Sequence, residues 1–185
     1  MGGIVFQTDR LTLREMTGED LRDLAEMLLD PEVMYAYEHT FSTVEVREWL
    51  ERQQVRYRRD GFGLWALELR ESGEMVGQAG LTWQPCEGET VLEIGYLLKR
   101  RHWHQGYARE AAAGCRDYAF ARLGAQRVHS IIKTDNASSI RVARAIGMTP
   151  EKEFSAQYYS APKRHVLYTL DRSSFSLDAL GPSNW

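Results

Sequence analysis

Cysteine is scarce in this chain: two in 185 residues, Cys86 and Cys115. They stand apart, without a CxxC pair or a Cys/His ligand spacing, so neither a metal site nor a disulfide is expected. No apolar run approaches the length of a membrane span, so no membrane partner is expected. The first residues, MGGIVFQTDR, carry neither a basic n-region nor a long apolar h-region. No signal peptide is therefore expected, and the expected compartment is the cytoplasm. Positive charge is not in excess either. With 23 Lys and Arg against 26 Asp and Glu, the formal net charge is −3. That argues against direct nucleic-acid binding, although local basic clusters can still hold phosphates. No repeat, coiled-coil heptad or low-complexity tract appears. Nor is there a G-x-G-x-x-G after the first strand, or an acidic residue suitably placed beyond Gly106, which disfavours a nicotinamide dinucleotide enzyme.

What is present fits one ordinary globular domain. The hydrophobic fraction of 43% and the charged fraction of 26% are typical, and the length suffices for a real core. Alternation over Arg10–Glu15 predicts a first strand. Thr17 and Asp20 read as the cap of a helix through Leu21, Leu24, Ala25 and Leu28, ended near Asp30-Pro31. After an irregular aromatic stretch, Val33–Phe41, Ser42 or Thr43 caps a second helix that carries Val46, Trp49, Leu50 and Gln53 on one face and stops at Gly61. A three-stranded meander follows: Gly63–Arg70, Met75–Trp83 and Val91–Leu98, with turns at Glu71–Glu74 and Pro85–Glu89. A third helix opens at Gly106 with Ala108, Ala111, Ala112, Cys115, Ala119 and Leu123 on one stripe. Arg127–Lys133 is a strand. A short helix from Asp135-Asn136 turns Ile140, Ala143 and Ile146 inward and ends at Gly147. Thr149–Tyr159 and His165–Asp171 are the last two strands. The order β-α-α-β-β-β-α-β-α-β-β predicts a single-domain α/β fold with a mixed, mostly antiparallel seven-stranded sheet and helices on both faces. The domain is expected over 8–171, with a peripheral C-terminal tail over 172–185.

The chain is organised around Glu93–Ala113. A strand ends in three basic residues, Lys99, Arg100 and Arg101, and a turn leads into a helix at Gly106. Helix N-termini carry unpaired N–H groups and the positive end of the macrodipole, so they attract phosphate, and a glycine lets the backbone approach it. Gln105, Gly106, Tyr107 and Ala108 are thus candidates to hold a phosphate-bearing ligand; an ordinary strand-to-helix turn is the plain alternative. A second strand–turn–helix unit, Thr134–Met148, places Asn136 and Ser139 at a helix start. Alone, this is simple capping. Beside the first unit, it becomes a second polar group at the same edge.

Gly106-Tyr107-Ala108 after a strand, followed by a strand, Asn136-Ala137-Ser138-Ser139 and Gly147-Met148, resembles the GNAT superfamily of acyl-CoA N-acyltransferases. Thr8–Arg14, Asp30–Met34 and Gly77–Leu81 resemble its branch of ribosomal-protein N-terminal acetyltransferases. The resemblance covers roughly Thr8 to Asp171. It implies acetyl-CoA as cosubstrate, with its pyrophosphate on the turn before the long helix. The family motif Q/R-x-x-G-x-G/A falls on Trp103, His104, Gln105, Gly106, Tyr107 and Ala108. Gly106 and Ala108 match, Trp103 replaces the Gln or Arg, and His104 stands where a further glycine is frequent. A negative φ at His104 would leave its N–H able to serve. The resemblance also implies pantetheine along the Glu93–Leu98 strand, with backbone groups of Leu97 and Leu98 pairing with it. Asn136 and Ser139 would touch the cofactor, and Arg101 would reach its phosphates.

Direct attack of an amine on a thioester needs a base for the amine and a donor for the thiolate. Glu93 is the candidate base; a solvent-facing or salt-bridged strand glutamate is the alternative. The tyrosine common in the family seven residues after the asparagine is Ala143 here, so Ser139 is the substitute donor, ahead of Tyr158 or Tyr159. His102, His129 and His165 are read as structural. The expected acceptor is a primary amine, of a protein N-terminus or a small molecule. The aromatic and acidic content of Val33–Phe41 and Glu153–Lys163 suggests one flanked by apolar or cationic groups. A non-catalytic acyl-CoA-binding regulatory module is the alternative, and a homodimer is left open.

Overall fold

The computed structural model describes residues 2–159 and 161–174. Eight strands form one sheet: β1 (Ile4–Gln7), β2 (Leu11–Arg14), β3 (Leu64–Leu69), β4 (Met75–Cys86), β5 (Glu89–Leu98), β6 (Arg127–Lys133), β7 (Thr149–Ala156) and β8 (Lys163–Asp171). Their spatial order is β1-β2-β3-β4-β5-β6-β8-β7. Every neighbouring pair is antiparallel except β5 and β6. Four helices join them: α1 (Leu21–Leu28), α2 (Thr43–Asp60), α3 (Tyr107–Ala121) and α4 (Ala137–Ala145).

The helices divide between the two faces, and the strand alternation says which. On β3, Leu64 and Ala66 pack with Leu24, Met27, Leu28, Val46 and Leu50 of α1 and α2. Trp65 and Leu67, turned the other way, join Ala111, Ala112, Cys115 and Phe120 of α3. The helix starts follow the sequence. Ser42 caps α2 in a reciprocal box with Glu45, and Gly61 ends that helix with φ of 78°. Thr17 and Asp20 form the same kind of box before α1.

Three expectations need correction. The sheet has eight strands rather than seven, and the order is β-β-α-α-β-β-β-α-β-α-β-β. The added strand, Ile4–Gln7, is too short for alternation to declare it, and a long-range contact holds it. Phe6 is 1% exposed, packed edge-on to Trp65 and stacked on Tyr118 with centroids 5.3 Å apart. Burying a phenylalanine contributes ~1.5–3 kcal/mol, enough to fix a four-residue edge strand. Gly114 makes room for it: a Cβ there would stand 2.7 Å from the Phe6 ring. Second, the turn expected over Pro85–Glu89 is shorter. β4 runs to Cys86 and reverses at Glu87-Gly88, both in left-handed conformation. Proline is tolerated in β4 because β3 accompanies that strand only as far as Leu81. Leu123 also falls outside α3 and is exposed. Of the expected tail, residues 175–185 lie outside the described residues.

Candidate active site

The site begins where the sheet changes direction. β5 and β6 are registered at one pair, Glu93 with His129, and beyond it no further pair is made among the described residues. β4 pairs with the whole outer edge of β5, down to Gly77 opposite Leu98. The other edge, from Ile94 onward, is therefore left open as one wall of a fork. Side chains close its root. Ser130 Oγ donates to the Ile94 carbonyl at 3.0 Å, and Glu93 Oε1 accepts the Ile131 N–H at 3.2 Å. Glu93 thus stands where the next strand residue would have paired. It is half-buried, and burial pushes its carboxyl up to about 7, against the opposing pull of the Ile131 N–H and the Arg56 guanidinium.

The fork opens into a cleft of about 970 Å³ lined by β5, α2, the 33–41 segment, the α3 turn and the start of α4. At the turn, Gly106 caps α3 with φ of 83°, a conformation glycine takes without penalty. The first N–H groups of α3 have no intrahelical partner. Arg10 braces this turn from outside the cleft. Its Nη1 donates to the Gln105 carbonyl at 3.0 Å, its Nε pairs with Glu110 at 2.6 Å, and its guanidinium lies 4.6 Å from the Tyr107 ring centre. Trp103 ties the turn to the strand, its indole N–H donating to the Leu98 carbonyl at 3.0 Å.

Across the cleft, Asn136 caps α4, its Oδ1 accepting from the Ser139 N–H at 3.2 Å and from the Ser138 hydroxyl at 2.9 Å. Tyr35, 101 residues earlier, donates its hydroxyl to the same oxygen at 2.7 Å. Tyr96 on β5 donates to the Ser139 carbonyl at 3.2 Å. An open strand edge and two helix N-termini, all facing one cleft, suit an extended chain with amide groups that ends in phosphates.

The model of the acetyltransferase (GNAT) domain matches residues 10–149. The chain belongs to the GNAT acetyltransferase family. YkkB of Bacillus subtilis (strain 168), an uncharacterized protein, is 42% identical over 142 residues, 76% of this chain and 83% of its own. The FsC-acetyl coenzyme A-N(2)-transacetylase of Aspergillus fumigatus is 30% identical over 185 aligned residues, 92% of this chain and 77% of its own. A solved structure of RimL, a ribosomal L7/L12 alpha-N-protein acetyltransferase in complex with coenzyme A, superposes with a TM-score of 0.74 over 91% of this chain and 98% of its own. At 18% identity, that last likeness is one of fold.

Set on the GNAT frame, the residues singled out from sequence fall into two groups. Glu93, Leu97, Leu98, His104, Gly106, Tyr107, Ala108, Asn136 and Ser139 all line the cleft. Arg101 and Gln105 do not. The Arg101 guanidinium is held by Glu26 at 2.7 Å and Glu74 at 2.8 Å, so it is spent on a surface network rather than aimed at the turn. Gln105 is exposed, its amide donating to the Arg101 carbonyl at 3.2 Å. Lys99, the first of the basic run, is buried between Asp23 and Glu26. The condition set for His104, a negative φ, is not met: it sits at +61°, the left-handed conformation of the glycine it replaces in the GNAT motif. Its imidazole is exposed at the cleft.

Ala143, at the position of the family tyrosine, is buried in the core and is not part of the cleft wall. The cleft residues that sequence reasoning missed are Tyr96 and Arg56; Tyr35 was expected as part of the aromatic 33–41 stretch, but not its bond to Asn136. Only the helical spacing of Arg56 from Trp49 could have flagged one of them. The expected preference for a cationic acceptor also loses its basis. Glu38 is neutralised by Lys133 at 2.6 Å and Lys163 at 3.2 Å, and Glu153 is paired with Arg164.

Proposed function

We propose that the protein transfers an acetyl group from acetyl-CoA directly to a primary amine. The observation that carries this reading is Glu93 at the root of the β5/β6 fork, a cleft carboxyl that titrates near 7. A base must be partly ionised at working pH yet basic enough to deprotonate an ammonium, and a value near 7 meets both demands. When bound, acetyl-CoA supplies the activated acyl group. The open edge of Gly95–Leu97 receives the amide-bearing arm, and the N–H groups of Tyr107 and Ala108 receive phosphate oxygens. Glu93 takes the proton from the acceptor nitrogen as that nitrogen bonds to the acyl carbon and the carbon–sulfur bond breaks. Ser139 donates a hydrogen bond to the departing sulfur. Ser139 lines the cleft, and its side chain lies within hydrogen-bonding reach of the Tyr96 hydroxyl. The Tyr96 hydroxyl is already given to the Ser139 carbonyl, and burial raises its pKa, which makes it a weaker acid than an ordinary tyrosine.

A second reading has one observation in its favour: Ala143 is sealed in the core, so the family's usual acid is missing and a non-catalytic acyl-CoA-binding module remains open. Thermal unfolding with acetyl-CoA, followed by thiol release over protein N-termini and small amines, separates the two. The expected result is a raised Tm and thiol release with at least one amine. A raised Tm with no release on any amine assigns the chain to the binding module. An unchanged Tm overturns both readings.

A further inference from the structure

The wall of the cleft opposite the α3 turn is a stripe of α2: Glu45, Trp49, Arg52 and Arg56, successive turns of one helix face. Its charges are not equivalent. Glu45 is engaged by the Ser42 N–H at 2.7 Å and the His39 ring at 2.8 Å. Among the described residues, neither Arg52 nor Arg56 has a carboxylate within ion-pair distance, although Glu48 lies one turn before Arg52 and also lines the cleft. Arg56 is half-buried and held in place. Its Nη1 donates at 3.1 Å to Oε1 of Gln53, a fully buried side chain that also accepts the Leu64 N–H at 3.1 Å. Arg52 lies over the Trp49 ring, 5.3 Å from its centre. Burial lowers the Arg56 pKa, and Arg52 and Arg59 lower it further, against the opposing pull of Glu93 and Asp60. Arg56 is also the guanidinium whose charge acts on Glu93.

Half-burying an arginine without a counter-ion is costly, and its fork of donors matches an oxyanion in two-point geometry. Of the cleft carboxylates, Glu45 is engaged by Ser42 and His39 and Glu38 by Lys133 and Lys163, while Glu48 is not within ion-pair distance of either guanidinium. The missing partner is therefore best supplied by what enters the cleft. Resting on the amine-acetyltransferase reading, we propose that the acceptor is a small amine that also carries an oxyanion, such as the carboxylate of an amino acid, seated on Arg56 and Arg52 while its nitrogen faces Glu93. Trp49, Tyr37, Phe41 and Tyr159 then provide the apolar wall for the body of such a molecule.

Product binding tests this without depending on turnover. The probes are N-acetylated forms of the common amino acids, their N-acetylated methyl esters and an N-acetylated aminoalkyl phosphate, titrated into the wild-type protein by calorimetry with coenzyme A present. At least one acid, or the phosphate, should bind about tenfold more tightly than its neutral counterpart, the worth of a charge-assisted pair. Tighter binding of the acids identifies a carboxylate, and of the phosphate alone a phosphoryl group; either sustains the proposal. Arg56→Gln should erase the preference, Arg56→Lys should restore part of it, and Arg59→Gln, outside the cleft and paired with Asp60, should leave it intact. Equal binding of acid and ester, no binding of any anionic probe, or a preference that survives Arg56→Gln overturns it. Thiol release on neutral amines alone would sink the oxyanion and keep the acetyltransferase.

Discussion

The two halves of the cleft are made of different material. The half built from the β5 edge, the α3 turn and the α4 cap presents mostly backbone: an unpaired strand edge and N–H groups at two helix starts. The half built from α2, the 33–41 segment and residues 156–159 and 161–165 presents side chains: Trp49, Arg52, Arg56, Tyr37, Tyr158 and Tyr159. On the function proposed above, backbone groups would recognise what all acyl-CoA chains share, extended amides and phosphates, and side chains what differs, the acceptor. Glu93 stands between the halves, fixed by the Ile131 N–H of one strand and sensing the Arg56 charge of a distant helix.

The largest effect should come from that boundary. Glu93→Gln should lower kcat by roughly 10²–10⁴-fold, the range for losing a general base. In the wild type, kcat/KM should rise with pH and level off above about 7, because the ionised carboxylate is the active form. In the variant that limb should vanish. The same titration predicts a stability signature. The folded-state value of about 7 lies above the ordinary 4.5, so the native state holds this proton more tightly than the unfolded chain. The resulting stability is full below the ordinary value and is lost as pH rises through about 7. The difference in Tm between pH 5 and pH 8 should therefore shrink in Glu93→Gln. An unchanged pH–rate profile together with an unchanged Tm difference would remove Glu93 from its role.

The next test asks whether the halves act as one. Tyr35 belongs to the acceptor side, yet its hydroxyl holds the α4 cap through Asn136 and Ser138. Tyr35→Phe deletes those bonds and keeps the ring. The loss should be ~1 kcal/mol, or about fivefold in affinity and ~2–4 °C in Tm. The comparison is sharpened if the acetyl-CoA and acceptor KM values rise together, which makes Tyr35 the brace between the halves. A rise confined to the acceptor KM would leave them independent.

The same division explains what could be read before the fold was known. The cofactor-side residues are close in sequence, and local chemistry declares them: glycine where φ is positive at Gly106, and an N-cap asparagine at Asn136. The acceptor side comes together only through the fold. Arg56 gains meaning from Gln53, whose amide is fixed by Leu64. Tyr35 gains it from an asparagine 101 residues away. Strand β1 was hidden in the same way, since Phe6 is explained by Trp65 and Tyr118 rather than by its neighbours. Arg101 is the converse: a basic residue beside the right motif, claimed by Glu26 and Glu74 from other parts of the chain.

The smallest expected effect tests whether the cofactor half is truly a backbone device. His104 holds φ of +61° in the motif where glycine is frequent. A side chain in left-handed conformation costs ~1–2 kcal/mol, less for histidine than for most residues. Glycine would recover that strain but would give back roughly 0.4–1 kcal/mol through the freer unfolded chain. His104→Gly should therefore stabilise the protein by at most ~1 kcal/mol, a Tm gain of ~2–4 °C or less. If only N–H groups hold the phosphates, the Kd for acetyl-CoA should stay within about twofold, well under one hydrogen bond's worth, with the acceptor KM unchanged. A Kd weakened about tenfold, the scale of a charge-assisted bond, would mean that the exposed imidazole itself holds a phosphate. In that case the cofactor half also recognises through a side chain, and the contrast between the two walls would survive only for the strand edge.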